Sequence, residues 1–538
     1  MRHLLFVLGI IGLVTVCGGK GWAQRAAGDT AASSKTLHII TAERLNTGKK
    51  DSAELLSAAG HVIAQHGNTL FYCDSVIQDV THNMLEAFGH VHINDNDSVH
   101  TYSDYLKYLG KDKQAYLKKN VKLTDGKGVL ITDDLSYNLN TKIGIYTNGG
   151  KLVNNKSVLT SKDGYYYGQT RDVHFKKNVV LVDPEYTIKT DTLYYNTFTN
   201  IATFIVPTEI IGKNQRILTS DGYYDMQKKK SYFGKRSQLT SDSTTLVADD
   251  IMNEDSTGYG EAQGNVFIRD LKNGFTLIAN NVKSNRKENS FLATQQPVLI
   301  MKQDKDSIFI AADTFYSARL TALRKYRSVP PVPDSVVVPV DIKNPQDSSR
   351  DRFIEGYYHV RIYSDSLQAV GDSLFYSAED SVFRLFKNPV VWAQENQITG
   401  DTIYLYTLNK KPKRMYVFEN ALLLNKVGKD IYYNQVKGRT INGYFKDGNI
   451  NYMRAKGNAE NVYYAVDDDN KYVGVNKSKS DAIDLFFVNK KPERVKLING
   501  VEGTMYPMGQ VDHDEIKLRG FKWLDDRRPK SRYDLFGG

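Results

Sequence analysis

The chain has 538 residues, 41% apolar and 25% charged, which is enough apolar material for a packed core and too little for a bundle of membrane helices. Two cysteines exclude a disulfide-stapled scaffold and any cysteine-based zinc or iron–sulfur framework. A formal net charge of +10 over this length is a mild basic bias, far from a nucleic-acid-binding arm, and 35 Tyr and 22 Phe against 3 Trp favour extended strands.

In chain order, Arg2 and His3 precede the apolar run 4–16, which is too short to span a bilayer and ends near the small-x-small site Gly21-Trp22-Ala23. This pattern predicts a secretory signal peptide, residues 1–23, cut after Ala23. Val16 stands before Cys17, where lipoprotein processing wants a small residue, so cleavage is favoured over lipidation at Cys17. Cleavage takes away Arg2, Lys20 and no acid, so +10 falls to +8, and Cys73 is then the one remaining cysteine.

Two signatures alternate from there. The first is an acid at a strand entry, followed by an apolar or aromatic residue and often a tyrosine, as in Asp104-Tyr-Leu-Lys-Tyr108, Asp163-Gly-Tyr-Tyr166, Asp191-Thr-Leu-Tyr-Tyr195 and Asp401-Thr-Ile-Tyr404. From Asp74 to Asp313 its intervals are 30, 29, 30, 28, 30, 28, 31 and 33 residues, a period that predicts stacked supersecondary units. The second is a strict alternation: Ala58-x-Gly60-x-Val62, Ala87-x-Gly89-x-Val91-x-Ile93, Leu117-x-Lys119-x-Val121-x-Leu123, Phe175-x-Lys177-x-Val179-x-Leu181 and Ala262-x-Gly264-x-Val266-x-Ile268, then Phe386-x-Asn388-x-Val390 and Phe418-x-Asn420-x-Leu422. Period two predicts strands with one buried and one wet face. Each unit is two strands of roughly ten residues, unable to bury its apolar face alone.

The expected domain order is repeats over 24–322, a Pro-rich inserted loop over 323–352, further repeats over 353–510 and a basic tail over 511–538. The loop holds Pro330, Pro331, Pro333, Pro339 and Pro345 and reads as extended and unpaired. Register favours an insertion inside one repeat over a domain boundary: Asp74 to His90 is 16 residues, Asp313 to His359 is 46, and the next step nearly matches its earlier counterpart. The tail, with Arg519, Lys522, Arg527, Arg528 and Lys530, reads as a docking arm or an ordinary solvated terminus.

The cadence Ala-x-Gly-x-Val-x-Ile followed by Ser/Thr/Ala-Asp-x-Leu-x-Tyr resembles the OstA/LptA family of periplasmic lipopolysaccharide-transport proteins, over about residues 36–320 and again about 353–500. The resemblance implies an all-β, elongated, twisted β-jellyroll (a β-taco), with two facing sheets around a trough that shields lipid A acyl chains. It implies as partners lipopolysaccharide or a similar lipid, the inner- and outer-membrane components of the transport path, and head-to-tail self-association through edge strands. This chain is longer than a compact member and has no terminal barrel pattern, which leaves open the bridge itself, a scaffold on it, or a paralogue with another lipid.

On that reading the groove lining is Val62, Val91, Ile93, Val121, Leu123, Val179, Leu181, Val266, Ile268, Val390 and Leu422, with no catalytic residue, no metal and no cofactor. His90 and His92 could hold a divalent ion, but both imidazoles turn outward with no carboxylate at a ligand-like spacing. The recurrent Asp lacks the Gly-Gly-x-Gly-x-Asp rhythm of a calcium ladder and is expected to fix turns by bonding nearby backbone N–H groups. No Gly-x-Ser-x-Gly elbow or phosphate loop occurs. A surface-adhesive β-solenoid and a carbohydrate-active β-helix enzyme are the alternatives. The tyrosines could stack on sugars, although cross-strand packing explains them more simply.

Overall fold

The computed structural model describes residues 36–50, 52–302, 307–332, 350–408, 411–427, 431–467, 469, 471–488 and 491–536. The leader, Cys17 and residues 333–349 of the Pro-rich stretch lie outside them. The described residues form forty strands, one short helix and three 3₁₀ turns, and their strand pairings are antiparallel, so the fold is an all-β jellyroll. Two compact units are present: Met1–Leu123 with Ser136–Asn140, and Thr124–Leu135 with Thr141–Gly538.

In the first unit, the strands Ala53–His66, Thr69–Asp79, Met84–Asp95 and Val99–Leu109 each serve two rows. Ala58, Val76, Ala87 and Leu106 stand directly opposite one another on successive strands, and so do Ala64, Phe71, Ile93 and Thr101. Directly opposed residues share a sheet face. The two rows are therefore two inner walls reached by the same strands.

The second unit repeats the device over a longer register. One row runs Leu130, Leu152, Leu159, Leu181, Ile188, Ile210, Ile217, Leu239, Leu246, Ile268, Leu277, Leu299, Ile310 and Ile362. It continues through Ala369, Val391, Ile398, Leu423 and Val436, then turns polar at Asn461 and Ser478. The other row includes Phe175, Leu193, Phe204, Gly222, Phe233, Ile251, Ala262, Val282, Ala293 and Phe315. Leu and Ile dominate the first row because branched aliphatic side chains fill a pleated, buried surface.

Long strands pass from one row to the other at a corner. Gly60-His61, Gly89-His90, Lys119-Asn120, Lys177-Asn178, Gly264-Asn265, Lys387-Asn388 and Glu419-Asn420 all have positive φ at both positions. Where a long strand pairs straight through such a corner, as at Lys176/Val179, Gln263/Val266 and Phe418/Ala421, the register shifts. An extra residue in the left-handed region bends and twists the strand, and Gly and Asn tolerate that region best. The Gly-x-Val and Lys-x-Val spacings of the sequence are these corners.

The acid of the first signature holds the corner, and it does so differently from the sequence expectation. Asp74 Oδ2 is 2.8 Å from His90 Nδ1, Asn120 donates to Asp104 at 2.7 Å, Lys177 pairs with Asp163 at 2.6 Å and Asn265 donates to Asp249 at 2.7 Å. Here the partner is a side chain on the neighbouring strand, not a nearby backbone N–H. His90 accordingly has a carboxylate partner, and His92 is stacked between Tyr72 and Tyr102 at 5.2 and 4.5 Å.

The hydrogen bond to Asp74, then its charge, raises the His90 imidazole above its ordinary value. A raised histidine pKa means the pair's stabilisation is complete below about pH 6.5 and is lost as pH climbs through the folded value. His90 should therefore titrate above the reference by NMR, and Asp74→Asn should bring it back toward it. His90→Asn should leave the thermal midpoint unchanged, because asparagine already fills this position at 120 and 265.

The strand Thr314–Ala318 pairs directly with Phe353–Tyr363, and Asp313 Oδ2 lies 2.8 Å from His359 Nδ1, the same side-chain pairing as Asp74 and His90. The intervening segment is not unpaired throughout. A turn of helix, Leu320–Leu323, is tied by Asp351 to Thr321 at 2.7 Å through both its N–H and its hydroxyl. Arg327 pairs with Glu355, Val329 packs on Ala318, Phe353 and Phe375, and Val332 packs on Val382, Tyr404 and Tyr406.

The C-terminal segment is neither a free arm nor a solvated terminus. Its residues run as a strap over the outer face of the second unit. Ile516 and Leu518 pack with Leu422, Leu424, Val462 and Val475, Leu524 meets Val370, Val390 and Trp392, and Leu535 packs on Val298 and Ala311. Three buried glutamines grip its backbone and side chains. Gln435 Oε1 accepts from Leu518 N at 2.8 Å, and Gln397 accepts from Leu524 N and donates to Lys522 O, both at 2.7 Å. Gln368 Oε1 accepts from Arg528 Nη2 at 2.7 Å.

Candidate functional site

The two rows of the second unit face each other across open space at one stretch. A cavity of about 720 Å³ is bordered by Ile188, Ile210, Ile217, Leu239, Leu246 and Ile268 of the first row and by Phe233 of the second. A neighbouring hollow of about 230 Å³ shares Leu246, Ile268, Ser284 and Arg286 with it and extends to Phe275, Leu277, Phe291 and Arg352. The larger falls in the range of about 300–1,000 Å³ typical of ligand sites.

The hollow has a composition cause. The strands Ser237–Ser241 and Thr244–Ala248 carry a single leucine each toward it, flanked by small polar residues, and Ser231, Ser241 and Thr244 border it directly. Leu239, Leu246 and Ile268 stay half-buried. Row residues farther along, such as Ile398, Leu423 and Val436, are at most 4% exposed. The rim is polar: Lys213, Asn214, Gln215, Asn253, Asp255 and Arg286. Arg286 is neutralised by Asp255. Hydrogen bonds from Tyr259, Gln263 and Asn281, and the charge of Lys283, hold the Glu261 carboxyl down to about 2 against the opposing effect of its burial, so it is a fixed anion of the wall. An apolar floor under a polar rim fits an amphiphile.

Of the residues singled out from sequence, Ile268 borders both hollows. Leu181 is in the same row, and Val179 and Val266 stand two residues from row members on the same face. In the first unit Val62, Val91 and Ile93 are buried beside the row of Ala64 and Phe71, and Val121 and Leu123 are buried after the corner at Lys119-Asn120. Val390 and Leu422 need correction: they stand on the outer face. The corner pairs are Lys387-Asn388 and Glu419-Asn420, so the residues equivalent to Leu181 are Val391 and Leu423. A slip of one residue exchanges the faces of a strand. Val390 and Leu422 instead lie beneath the C-terminal strap.

Ile188, Ile210, Ile217, Leu239, Leu246 and Leu277 were not anticipated. Their signal is the register itself, since each lies opposite a residue three positions past a corner or opposite another row member.

Among the described residues no group of three or more His, Cys, Asp or Glu is placed to hold a metal, and no helix is long and apolar enough to cross a membrane. The sequence profile of the OstA-like protein family matches residues 34–191 and 185–249. No curated protein matches the chain. Among solved structures, the chain is similar to LptH of Pseudomonas aeruginosa, described as the LptA-homologous periplasmic component of the lipopolysaccharide transport device. The identity is 14%, the coverage 32% of this chain and 80% of that one, and the TM-score 0.14, a likeness too low to bear on role.

Proposed function

We propose, from the match of residues 34–249 to the OstA-like protein family, that the chain is a non-enzymatic periplasmic carrier that shields the acyl chains of lipopolysaccharide, or a similar lipid, between its facing walls. The observation that carries this reading is the cavity of about 720 Å³ lined by Ile188, Ile210, Ile217, Leu239, Leu246 and Ile268. Each methylene removed from water contributes about 0.8 kcal/mol. Successive row members present nearly equivalent apolar contacts, so a chain can shift along them with little change in energy, and direction must come from outside.

The exposed edge strand Arg44–Lys50 pairs only with Ala53–His66 among the described residues, and its other edge offers N–H and C=O groups for strand addition. The partners of this reading are the inner- and outer-membrane components of the transport path or a second copy of the chain.

The test is a photo-crosslinking residue at Ile268, facing the cavity, against one at Phe267, the adjacent residue on the opposite face. Lipid adducts should form at 268 and not at 267 in the protein isolated from cells. Leu246→Trp, which fills the hollow, should cut adduct formation at 268 at least tenfold. Equal adducts at both positions, or none at either, would remove the carrier reading.

A further inference from the structure

The smaller hollow is bordered by a cation that forms no ion pair among the described residues. Arg352, at the foot of the Pro-rich segment, borders it together with Phe275, Leu277 and Phe291. Its Nη2 donates to Asn289 O at 3.0 Å and to Asn289 Oδ1 at 2.8 Å, both neutral acceptors. Among the described residues no carboxylate pairs with it. Two acids act on it from a distance, Asp270 and Asp351, and each is engaged elsewhere. Asp270 accepts from Asn273 N at 2.9 Å and Asn273 Nδ2 at 2.7 Å. Asp351 accepts from Thr321 N and Thr321 Oγ1, each at 2.7 Å.

Burial pushes the Arg352 guanidinium below its ordinary value, Arg319 adds to that, and the two acids oppose it. A guanidinium nonetheless stays charged in proteins. A partly buried charge without an ion-pair partner is costly, and this one borders a hollow that shares Leu246, Ile268, Ser284 and Arg286 with the larger cavity. Three other charged residues border the hollow, each with its own bonds: Arg286 pairs with Asp255, Glu261 takes bonds from Tyr259, Gln263 and Asn281, and Asp270 takes the two from Asn273.

We propose that Arg352 receives the anionic head, phosphate or carboxylate, of an amphiphile whose chain lies along Leu277, Ile268 and Leu246. The planar fork of arginine suits either oxyanion bidentately. The inference rests on the carrier reading and adds to it an end point: the cargo is held head-first at the insertion, with its chain directed back toward Ile188.

Calorimetry on the mature full chain tests it with decyl phosphate and decanol, which share a chain and differ in head, each below its aggregation limit, and with inorganic phosphate alone. Decyl phosphate should bind about tenfold more tightly than decanol. Arg352→Gln should erase that preference while leaving decanol binding unchanged, and Arg352→Lys should restore part of it. Leu246→Trp should weaken both amphiphiles. If Arg352→Gln binds both as the wild type does, the assignment of Arg352 falls and the carrier reading stands. If neither amphiphile binds the wild type, the cavity reading falls and this inference falls with it. If inorganic phosphate binds as tightly as decyl phosphate and depends equally on Arg352, the site takes free phosphate, and the amphiphile proposal is overturned.

Discussion

Truncation after residue 510 should destabilise the second unit and make it associate through the face it uncovers. The strap buries Ile516, Leu518 and Leu535 to 5% exposure or less, and full burial of such side chains contributes about 1.5–3 kcal/mol each. Beneath it lie Leu422, Leu424, Val462, Val390 and Trp392, on a sheet face that would otherwise be wet. Removing the strap exposes a contiguous apolar patch of the kind that drives association. It also strips Gln435, Gln397 and Gln368 of their partners.

A net loss of about 4 kcal/mol would lower the midpoint by roughly 5 °C in a unit of this size. Calorimetry and size-exclusion chromatography should therefore show an earlier transition and higher-order species. Gln397→Ala, which removes the bonds to Leu524 N and Lys522 O, should reproduce part of the shift with the strap present. A truncated chain with the wild-type elution volume and midpoint would mean the strap contributes nothing to stability.

The strap also explains where the sequence was legible and where it was not. In the strands of the first block, such as Asp172–Val182, one face is apolar and one is wet, so alternation alone assigns Val179 and Leu181. In the run Pro389-Val390-Val391-Trp392 every residue is apolar, because the inner wall takes Val391 while the strap covers Val390 and Trp392. Alternation carries no facing information when both faces are buried, and the one-residue slip at Val390 and Leu422 follows. The strap's partners lie far away in the chain, as with Gln368 and Arg528, beyond the reach of any periodicity.

The repeated acid was visible as a mark but not as a mechanism, since its partner sits on the next strand across a corner. The position of the cavity was likewise hidden. It depends on Ser231, Ser241 and Thr244 being small where they border the hollow beside Leu239 and Leu246, and which strands share that border is set only once they are in register.

Gly222→Ala should be among the most damaging single-methyl additions in the chain. Gly222 has φ +136, a conformation that L side chains rarely adopt, and a Cβ there would meet Tyr232 O at 2.1 Å and Phe233 Cα at 3.0 Å. Both obstacles are backbone, so neither can rotate aside. The glycine sits in the second row directly between Phe204 and Phe233, whose rings stack across it at 6.3 Å. The added methyl must therefore push the strand Lys230–Phe233 away from its partner, and overpacking of this kind typically costs about 1–3 kcal/mol before backbone strain is added. Phe233 also borders the larger cavity, so the displacement should reach the site. The thermal midpoint should drop and decyl phosphate binding should weaken together. Gly48→Ala is the control, on an exposed edge strand where a Cβ meets nothing within 4 Å, and it should change neither. A Gly222→Ala protein with full stability but lost binding would place Gly222 in the cargo path itself, and one with lost stability but intact binding would show that the Phe204–Phe233 wall is not part of it.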